Sequence, residues 1–374
     1  MTVVGSLYGA AAAWRRRWYE GDPARRRRLA RPVISVGNLS VGGTGKTPIV
    51  AYIARLLVAN GERPAILSRG YGRRRPRDGV TVVSDGAAIL ADVDAAGDEP
   101  LMLARRLPGV SVFVGARRYL SGRLAEARFG ATVHLLDDGF QHVELARDID
   151  LLVIGEEDLQ DAPLPTGRLR EPLGAALAAD AGLVNAGYDS AAERIGRALG
   201  LSTVFRIARG LGVPRMITSG ETVVVPSDER VFAVAAVARP ERFFSDVTSA
   251  GWKIVGTMTF RDHHPFTHRD VVRMTAAARS TAAAIVMTTE KDAVRLAVHD
   301  LGGLPVATVP LTVSIEPVEV FAEWLRDRVE AARRHSAPST LSTSSTSSTP
   351  STLSTPLPAP STPHQAPRTP HPNP

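Results

Sequence analysis

Short apolar runs alternate with stretches of helical spacing along most of this chain. Residues 32–36, 64–68, 80–84, 110–114, 131–136, 150–155 and 182–185 read as strands. A second series covers 231–237, 252–258, 284–289 and 305–309. Several runs are almost continuously apolar, which suits strands buried on both faces. Helical spacing follows at 46–58, 101–107, from about 118, and at about 190–199, 239–250 and 318–334. The alternation predicts an α/β fold with mostly parallel sheets. Glycines and prolines interrupt the pattern between 210 and 229, so a boundary is expected there. The expected organisation is a larger core domain over 32–210, a linker over 211–229 and a smaller α/β domain over 230–335, with the active site in the cleft between them. No internal repeat is evident. Beyond 335, 28 of 39 residues are Ser, Thr or Pro. Such a segment has little apolar surface to bury and is expected to be a disordered tail.

Charge changes this picture at one end. The formal net charge is +7. Residues 1–31 hold eight arginines against Glu20 and Asp22, so the other 343 residues carry only +1. A near-neutral body disfavours nucleic acid as a partner, whereas the basic segment favours a local anionic surface. Its first fourteen residues are uncharged but too short to span a bilayer. Trp14, Trp18 and Tyr19 are interleaved with Arg15–Arg17, and Arg25–Arg28 follow. Aromatics beside arginines suit a membrane interface. A signal peptide would place its basic region before the apolar one, the reverse of this order. The absence of cysteine removes disulfides and thiolate metal sites.

The stretch from Arg31 to Val50 carries the clearest chemistry. A buried strand leads into Gly42-Gly43-Thr44-Gly45-Lys46-Thr47, and a helix opens near Lys46. Strand, glycine loop and helix in that order make a phosphate-binding P-loop. Backbone N–H groups and the helix N-terminus would cradle phosphate, Lys46 would reach the β- and γ-phosphates, and Thr47 would sit on Mg²⁺. Ser40 stands where the generic motif has its first glycine. Lysine use supports the assignment. Only Lys46, Lys253 and Lys291 are lysines among 45 basic residues, so Lys46 and Lys291 mark positions that need a compact ammonium. The run 131–136 ends in Asp137-Asp138, which places a carboxylate near Mg²⁺ across from Thr47. Asp98, before a helical run, reads by itself as an N-cap. His263 and His264 lie beside Asp262, but without a third nearby ligand they do not make a structural zinc site.

Six separated motifs share one resemblance. The P-loop string V-G-N-L-S-V-G-G-T-G-K-T-P, then S-R-G-Y-G (68–72), G-D-E-P (97–100), D-D-G-F-Q-H (137–142), L-R-E-P (169–172) and T-E-K-D (289–292) resemble, in order, the tetraacyldisaccharide 4'-kinases, the lipid A 4'-kinases of Gram-negative bacteria. The likeness covers roughly residues 5–330. It implies a P-loop NTPase core and ATP-Mg²⁺-dependent phosphorylation of the 4'-hydroxyl of a tetraacylated glucosamine disaccharide 1-phosphate, giving lipid IVA. It moves Asp98 into the active site as the general base, with His263 of the D-H-H segment as its partner from the other domain. It implies a metal site from Thr47, Asp137 and Asp138, with Glu171 helping to order it. Asn38, Arg69, Tyr71, Arg118, Gln141, His142 and Arg170 become substrate contacts, and Glu290 and Lys291 lie on the nucleotide side. The lipid substrate implies a peripheral enzyme on the cytoplasmic face of the inner membrane, docked through its N-terminal segment. Two other classes stay open. T-E-K-D also faintly resembles the guanine-reading element of GTPases, and with the histidine pair it allows a P-loop GTPase or metallochaperone. A membrane-binding ATP sensor without activity is the other.

Overall fold

The computed structural model describes residues 3–42, 45–76 and 78–336. Gly43 and Thr44 lie outside the described residues, and so does the expected tail from 337 onward.

The chain opens with helix α1 (Val3–Glu20). Strand β1 (Val33–Asn38) and helix α2 (Lys46–Ala59) follow, then β2 (Pro64–Ser68), β3 (Thr81–Asp85), α3 (Val93–Ala96), α4 (Asp98–Arg106) and β4 (Ser111–Val114). Next come α5 (Arg118–Phe129), β5 (Val133–Asp137), β6 (Ile149–Gly155), β7 (Ala181–Asn185), α6 (Asp189–Ala198) and β8 (Val204–Leu211). The remainder holds β9 (Arg215–Met216), β10 (Arg230–Ala235), α7 (Pro240–Ser249), β11 (Lys253–Thr259), α8 (His268–Ser280) and β12 (Ile285–Thr289). It closes with α9 (Glu290–Leu296), β13 (Val306–Val309), β14 (Leu311–Glu316) and α10 (Val318–Ser336).

Two sheets result. The larger has nine strands in the order β14-β8-β7-β6-β1-β5-β2-β4-β3. Its strands are parallel except the two edges, β3 on β4 and β14 on β8. Alternation along β1 explains how both faces are covered. Ile34 and Val36 join the cluster with Ile49, Ile53 and Leu57 of α2, Leu103 of α4 and Phe321 and Leu325 of α10. Val33 faces the other way, with Leu67, Phe113 and Ala125 of α5. The smaller sheet runs β11-β10-β12-β13-β9, parallel except for β9. Phe232 and Val234 face α8 through Val271 and Met274, while Val231 and Ala233 face α7 through Phe243 and Val247.

The smaller sheet does not run to the end of the chain. The polypeptide leaves the larger sheet after β8, builds β9 to β13, and returns directly as β14, where Leu311 pairs with Leu211. Helix α10 then packs on the larger core. The smaller unit thus spans 215–309, and the expected domain over 230–335 is divided by this return. Strand β8 (Val204–Leu211) carries regular structure up to the first residue of the expected linker.

Helix α1 meets the body along one face. Gly5, Gly9 and Arg16 are buried on it. A Cβ at Gly9 would sit 3.2 Å from Pro172 Cγ, so glycine permits the close approach. The opposite face exposes Leu7, Trp14 and Trp18.

Candidate active site

The P-loop lies where β1 ends in the middle of the larger sheet, at the carboxyl edge where open α/β sheets bind ligands. Helix α2 starts after Gly45, whose φ of 78° is left-handed, and no side chain caps it. The N–H groups of its first turn have no acceptor within the helix and suit an anion. Pro48 fits the first turn, where an N–H would have no partner. The adjacent strand β5 pairs Asp137 opposite Val36 and delivers both carboxylates to the same edge. Gly37 is required here, because a Cβ on it would lie 2.4 Å from Phe140 Cβ.

Lys46 is held at the base of this edge. Its Nζ donates to Asn38 Oδ1 at 2.7 Å and lies 3.2 Å from Asp138 Oδ1. Arg170 Nη1 donates to Asp138 Oδ2 at 2.8 Å and to Gln141 Oε1 at 3.2 Å, and Arg170 Nη2 donates to Asn38 Oδ1 at 3.3 Å. The Arg170 backbone N–H donates to Leu39 O, and Val41 N–H donates to Arg168 O. The 165–172 loop is thereby stitched to the P-loop. Asn38, expected as a substrate contact, is fully buried and braces Lys46 and Arg170 from behind.

Lys46, Thr47, Asp137 and Asp138 line a cavity of about 910 Å³ together with Gly42 and Gly45. Burial, followed by the charges of Glu99 and Asp138, raises the Asp137 carboxyl to about 7, against the pull of Lys46 and Arg118. Burial also pushes the Asp138 carboxyl up, but Lys46 and Arg170 outweigh it and hold it below its ordinary value. A buried carboxyl crowded by two others, beside a hydroxyl at the same edge, fits a divalent cation.

Glu171 departs from expectation. Its side chain is buried and turned away from the cavity, where Oε2 and Oε1 accept from Arg16 Nε at 2.7 Å and Nη2 at 2.9 Å. Arg16 Nη2 also donates to Phe140 O at 2.9 Å, and the guanidinium lies 4.3 Å from the Phe140 ring centroid. Arg16 therefore anchors α1 instead of facing a membrane, and Glu171 is its counter-ion instead of a metal ligand. Glu171→Leu strands a buried guanidinium and is expected to cost about 3–5 kcal/mol. Arg16→Met in the same chain should recover most of that loss, since a buried pair replaced by apolar groups of similar volume is often neutral. Denaturant melts of the single and double variants measure both effects.

Further along the same wall stand Arg69, Arg118 and His142. Burial and the neighbouring Arg69 lower the Arg118 pKa to about 10, and its buried Nε has no hydrogen-bond partner among the described residues. Burial and the surrounding arginines lower His142 to about 3. Arginines with too few counter-ions, beside a neutral imidazole, make a site for a phosphate group. Arg15 joins them, donating to Gln141 O at 3.0 Å. Tyr71 is exposed and sits 5.5 Å from the His263 ring.

The smaller unit faces this wall with His263, Glu290 and Lys291. His263 has a left-handed φ of 59°. Its Nδ1 lies 2.9 Å from Asp98 Oδ2. Asp98 is 1% exposed, and its other oxygen accepts from Arg295 Nε. Burial pushes the Asp98 carboxyl up, but the bonds from His263 and Arg295 hold it below its ordinary value. It does not cap α4, whose N-cap is Gly97. A carboxylate only accepts, so Nδ1 carries the imidazole proton and Nε2 keeps a lone pair. Nε2 lies 3.1 Å from Lys291 Nζ, and both residues line the cavity. Asp98, expected as the general base, thus stands behind the histidine instead of in the cleft. Lys291 also donates to Asp262 Oδ1 at 3.0 Å, and Glu290 accepts from Arg106. The T-E-K-D segment therefore borders the histidine.

The features that allowed a GTPase or metallochaperone point elsewhere. Asp292 is buried, and its carboxylate accepts from Ala236 N–H at 2.9 Å and Thr289 Oγ1 at 2.8 Å, which leaves it unpresented to a base edge. His264 turns from His263 to Asp270, at 3.1 Å, and stacks on Phe260. Among the described residues the histidine pair joins no cluster of three or more His, Cys, Asp or Glu placed to hold a metal.

A P-loop at the centre of a mostly parallel sheet, an acidic strand end beside it and a histidine facing them define a P-loop kinase. Comparison with known proteins specifies which kind. The family model described as Tetraacyldisaccharide-1-P 4'-kinase matches residues 1–330. A tetraacyldisaccharide 4'-kinase of Koribacter versatilis is 37% identical over 327 residues, covering 85% of this chain and 95% of the relative. One from Anaeromyxobacter sp. is 41% identical over 309 residues, covering 79% and 82%. The crystal structure of LpxK from Aquifex aeolicus in complex with ATP matches with a TM-score of 0.70 at 31% identity, covering 87% of this chain and 97% of that one. The chain belongs to the tetraacyldisaccharide 4'-kinase family, whose members transfer phosphate to a sugar hydroxyl in lipid A biosynthesis.

Proposed function

We propose that the cleft transfers the γ-phosphoryl group of ATP to the 4'-hydroxyl of a tetraacylated glucosamine disaccharide 1-phosphate, yielding lipid IVA. The observation that carries this reading is a single cavity lined by Lys46, Thr47, Asp137, Arg118 and His263. Lys46 and the amides at the start of α2 hold the transferring group. In this arrangement Lys46 rests on Asn38 and Asp138, and incoming phosphate oxygens replace part of that coordination. Thr47 and Asp137 are the residues suited to hold Mg²⁺, with Asp138 beside them; the ion neutralises phosphate charge when bound. Arg69, Arg118 and His142 suit the 1-phosphate of the acceptor.

His263 Nε2 takes the proton of the sugar hydroxyl as the new O–P bond forms and the bond to the leaving diphosphate oxygen breaks. The hydroxyl displaces Lys291 from Nε2, and Asp98 stabilises the imidazolium through Nδ1–H. Purified protein incubated with γ-labelled ATP, Mg²⁺ and the disaccharide 1-phosphate in mixed micelles tests the reading. Label in a lipid bisphosphate supports it. No lipid product, with hydrolysis favouring GTP, overturns it.

The acylated substrate calls for a membrane-docked enzyme, and we place this one on the cytoplasmic face of the inner membrane. No described helix is long and apolar enough to cross a membrane. The exposed stripe Leu7–Trp14–Trp18 of α1, flanked by Arg17, suits the interface. Removing residues 1–30 would also remove buried Leu29 and the backbone bond from Arg27 to Glu144, so point changes test docking better. Trp14→Ala with Trp18→Ala should weaken binding to anionic vesicles by about tenfold or more. Vesicle co-sedimentation measures it, and unchanged binding removes the stripe from the interface.

A further inference from the structure

We propose that Arg295 is a positioning residue for the Asp98–His263 pair, fixing the carboxylate and the histidine backbone in one relation across the cleft. The inference rests on the kinase reading above for its consequence in turnover, and on geometry for the coupling itself. Asp98 begins α4 of the larger unit, whereas His263 lies in the loop after β11 of the smaller one. Only one hydrogen bond joins their side chains. Arg295 touches both. Its Nε donates to Asp98 Oδ1, the oxygen His263 does not use, and its Nη1 donates to His263 O at 2.7 Å. The second bond clamps a residue whose left-handed φ is unfavourable for a non-glycine side chain.

The position of Arg295 is set by its helix. Thr289 caps α9, accepting from Asp292 N–H, and buried Asp292 ties this end to Ala236. Lys291 and Arg295 are four residues apart and share one face of α9. Lys291 meets His263 Nε2, and Arg295 meets the carboxylate behind it. The charged and titratable groups around the pair are Asp98 and Glu99 from α4, Arg261 and Asp262 beside His263, Lys291, Asp292 and Arg295 from α9, and Tyr71 and Arg74 from the loop after β2. Among these cations, Lys291 bonds the His263 ring and Arg295 bonds the Asp98 carboxylate. Removing Arg295 leaves the Asp98 charge to act on the imidazole without its second counter-ion, so the pair binds protons more tightly.

The experiment compares wild type, Arg295→Ala and Arg295→Lys by pH-dependent turnover and by NMR titration of labelled histidine, with His263→Ala identifying the His263 signal. In Arg295→Ala, kcat should fall about tenfold to a hundredfold. The KM for ATP should be unchanged, and the acid limb of kcat and the His263 midpoint should both move to higher pH. Arg295→Lys keeps the charge but not the two-point fork, so its acid limb should return while kcat recovers in part. A fall in kcat with an unmoved limb and midpoint makes Arg295 merely structural and overturns the proposal. Wild-type kcat in either variant also overturns it. Should the alanine variant not fold, the lysine variant decides through its kcat. If the wild type labels no lipid, the kinase reading fails, while the NMR midpoint still decides whether Arg295 is coupled to His263.

Discussion

Lys46→Ala is expected to lower lipid phosphorylation by about a thousandfold or more, the scale associated with removing a cation from a phosphoryl-transfer site. The side chain is nearly enclosed, and it is one of just three lysines among 45 basic residues. Its loss leaves Asp138 paired with Arg170 and Asn38 still bonded to Arg170 and Ser40, so the local fold keeps most of its support. Thermal unfolding should therefore change little while turnover collapses. Lys46→Arg should not restore activity. A planar fork cannot occupy the space between Asn38 and Asp138 as a compact ammonium does. Recovery of normal turnover in the arginine variant would mean that charge alone matters here. The labelled-lipid assay with a parallel melt measures both.

The second large effect concerns the Asp98–His263 pair. Asp98→Asn keeps the shape but removes the acceptor-only character that fixes the proton on Nδ1, and His263→Ala removes the proton acceptor. Each should reduce kcat by about 10²- to 10⁴-fold. ATP binding, measured by titration calorimetry, should stay near wild type because neither side chain touches the P-loop. The double variant should be little worse than either single one, since the two act as a unit. Independent, multiplying losses would break up the pair. Because His263 faces the cleft and Asp98 does not, Asp98→Asn with a retained histidine should show more residual turnover than His263→Ala.

The phosphate edge was legible because its chemistry is local. Strand, glycines, Lys46 and Thr47 lie within a few residues, and β5 ends in its acidic pair as one continuous apolar run. Strands such as Pro64–Ser68 are buried throughout and declare themselves by composition. Strand β8 does not, because Arg206 and Arg209 interrupt it and its last residues are half exposed. Strand β14 is similarly half buried and hides between Pro310 and Pro317. Helix α8 carries arginines and a histidine on an exposed face, and its capping box of Thr267 and Asp270 was the signal available. Contacts between distant residues were the least legible. Arg16 and Glu171 are 155 positions apart, and Asp98 and Arg295 are 197 apart. A charge in a loop does not announce whether its partner is solvent, a ligand or a buried counter-ion. The pairing of Asp98 with His263 was accessible only through the resemblance, which cast Asp98 as the general base and His263 as its partner.

The return of the chain at Leu311 beside Leu211 has a consequence for how this protein could be rebuilt. Everything between those neighbouring positions is a cassette set into the larger fold, entering and leaving through one two-stranded stalk. A graft that replaces residues 215–309 with the corresponding stretch of a relative would preserve the hydrophobic layers of the nine-stranded sheet and the seat of α10. It would exchange His263, Lys291 and Arg295 as a block while leaving the phosphate loop, the acidic strand end and Asp98 in the recipient. Such chimeras would separate the proton-handling half of the chemistry from the phosphate-holding half in one exchange.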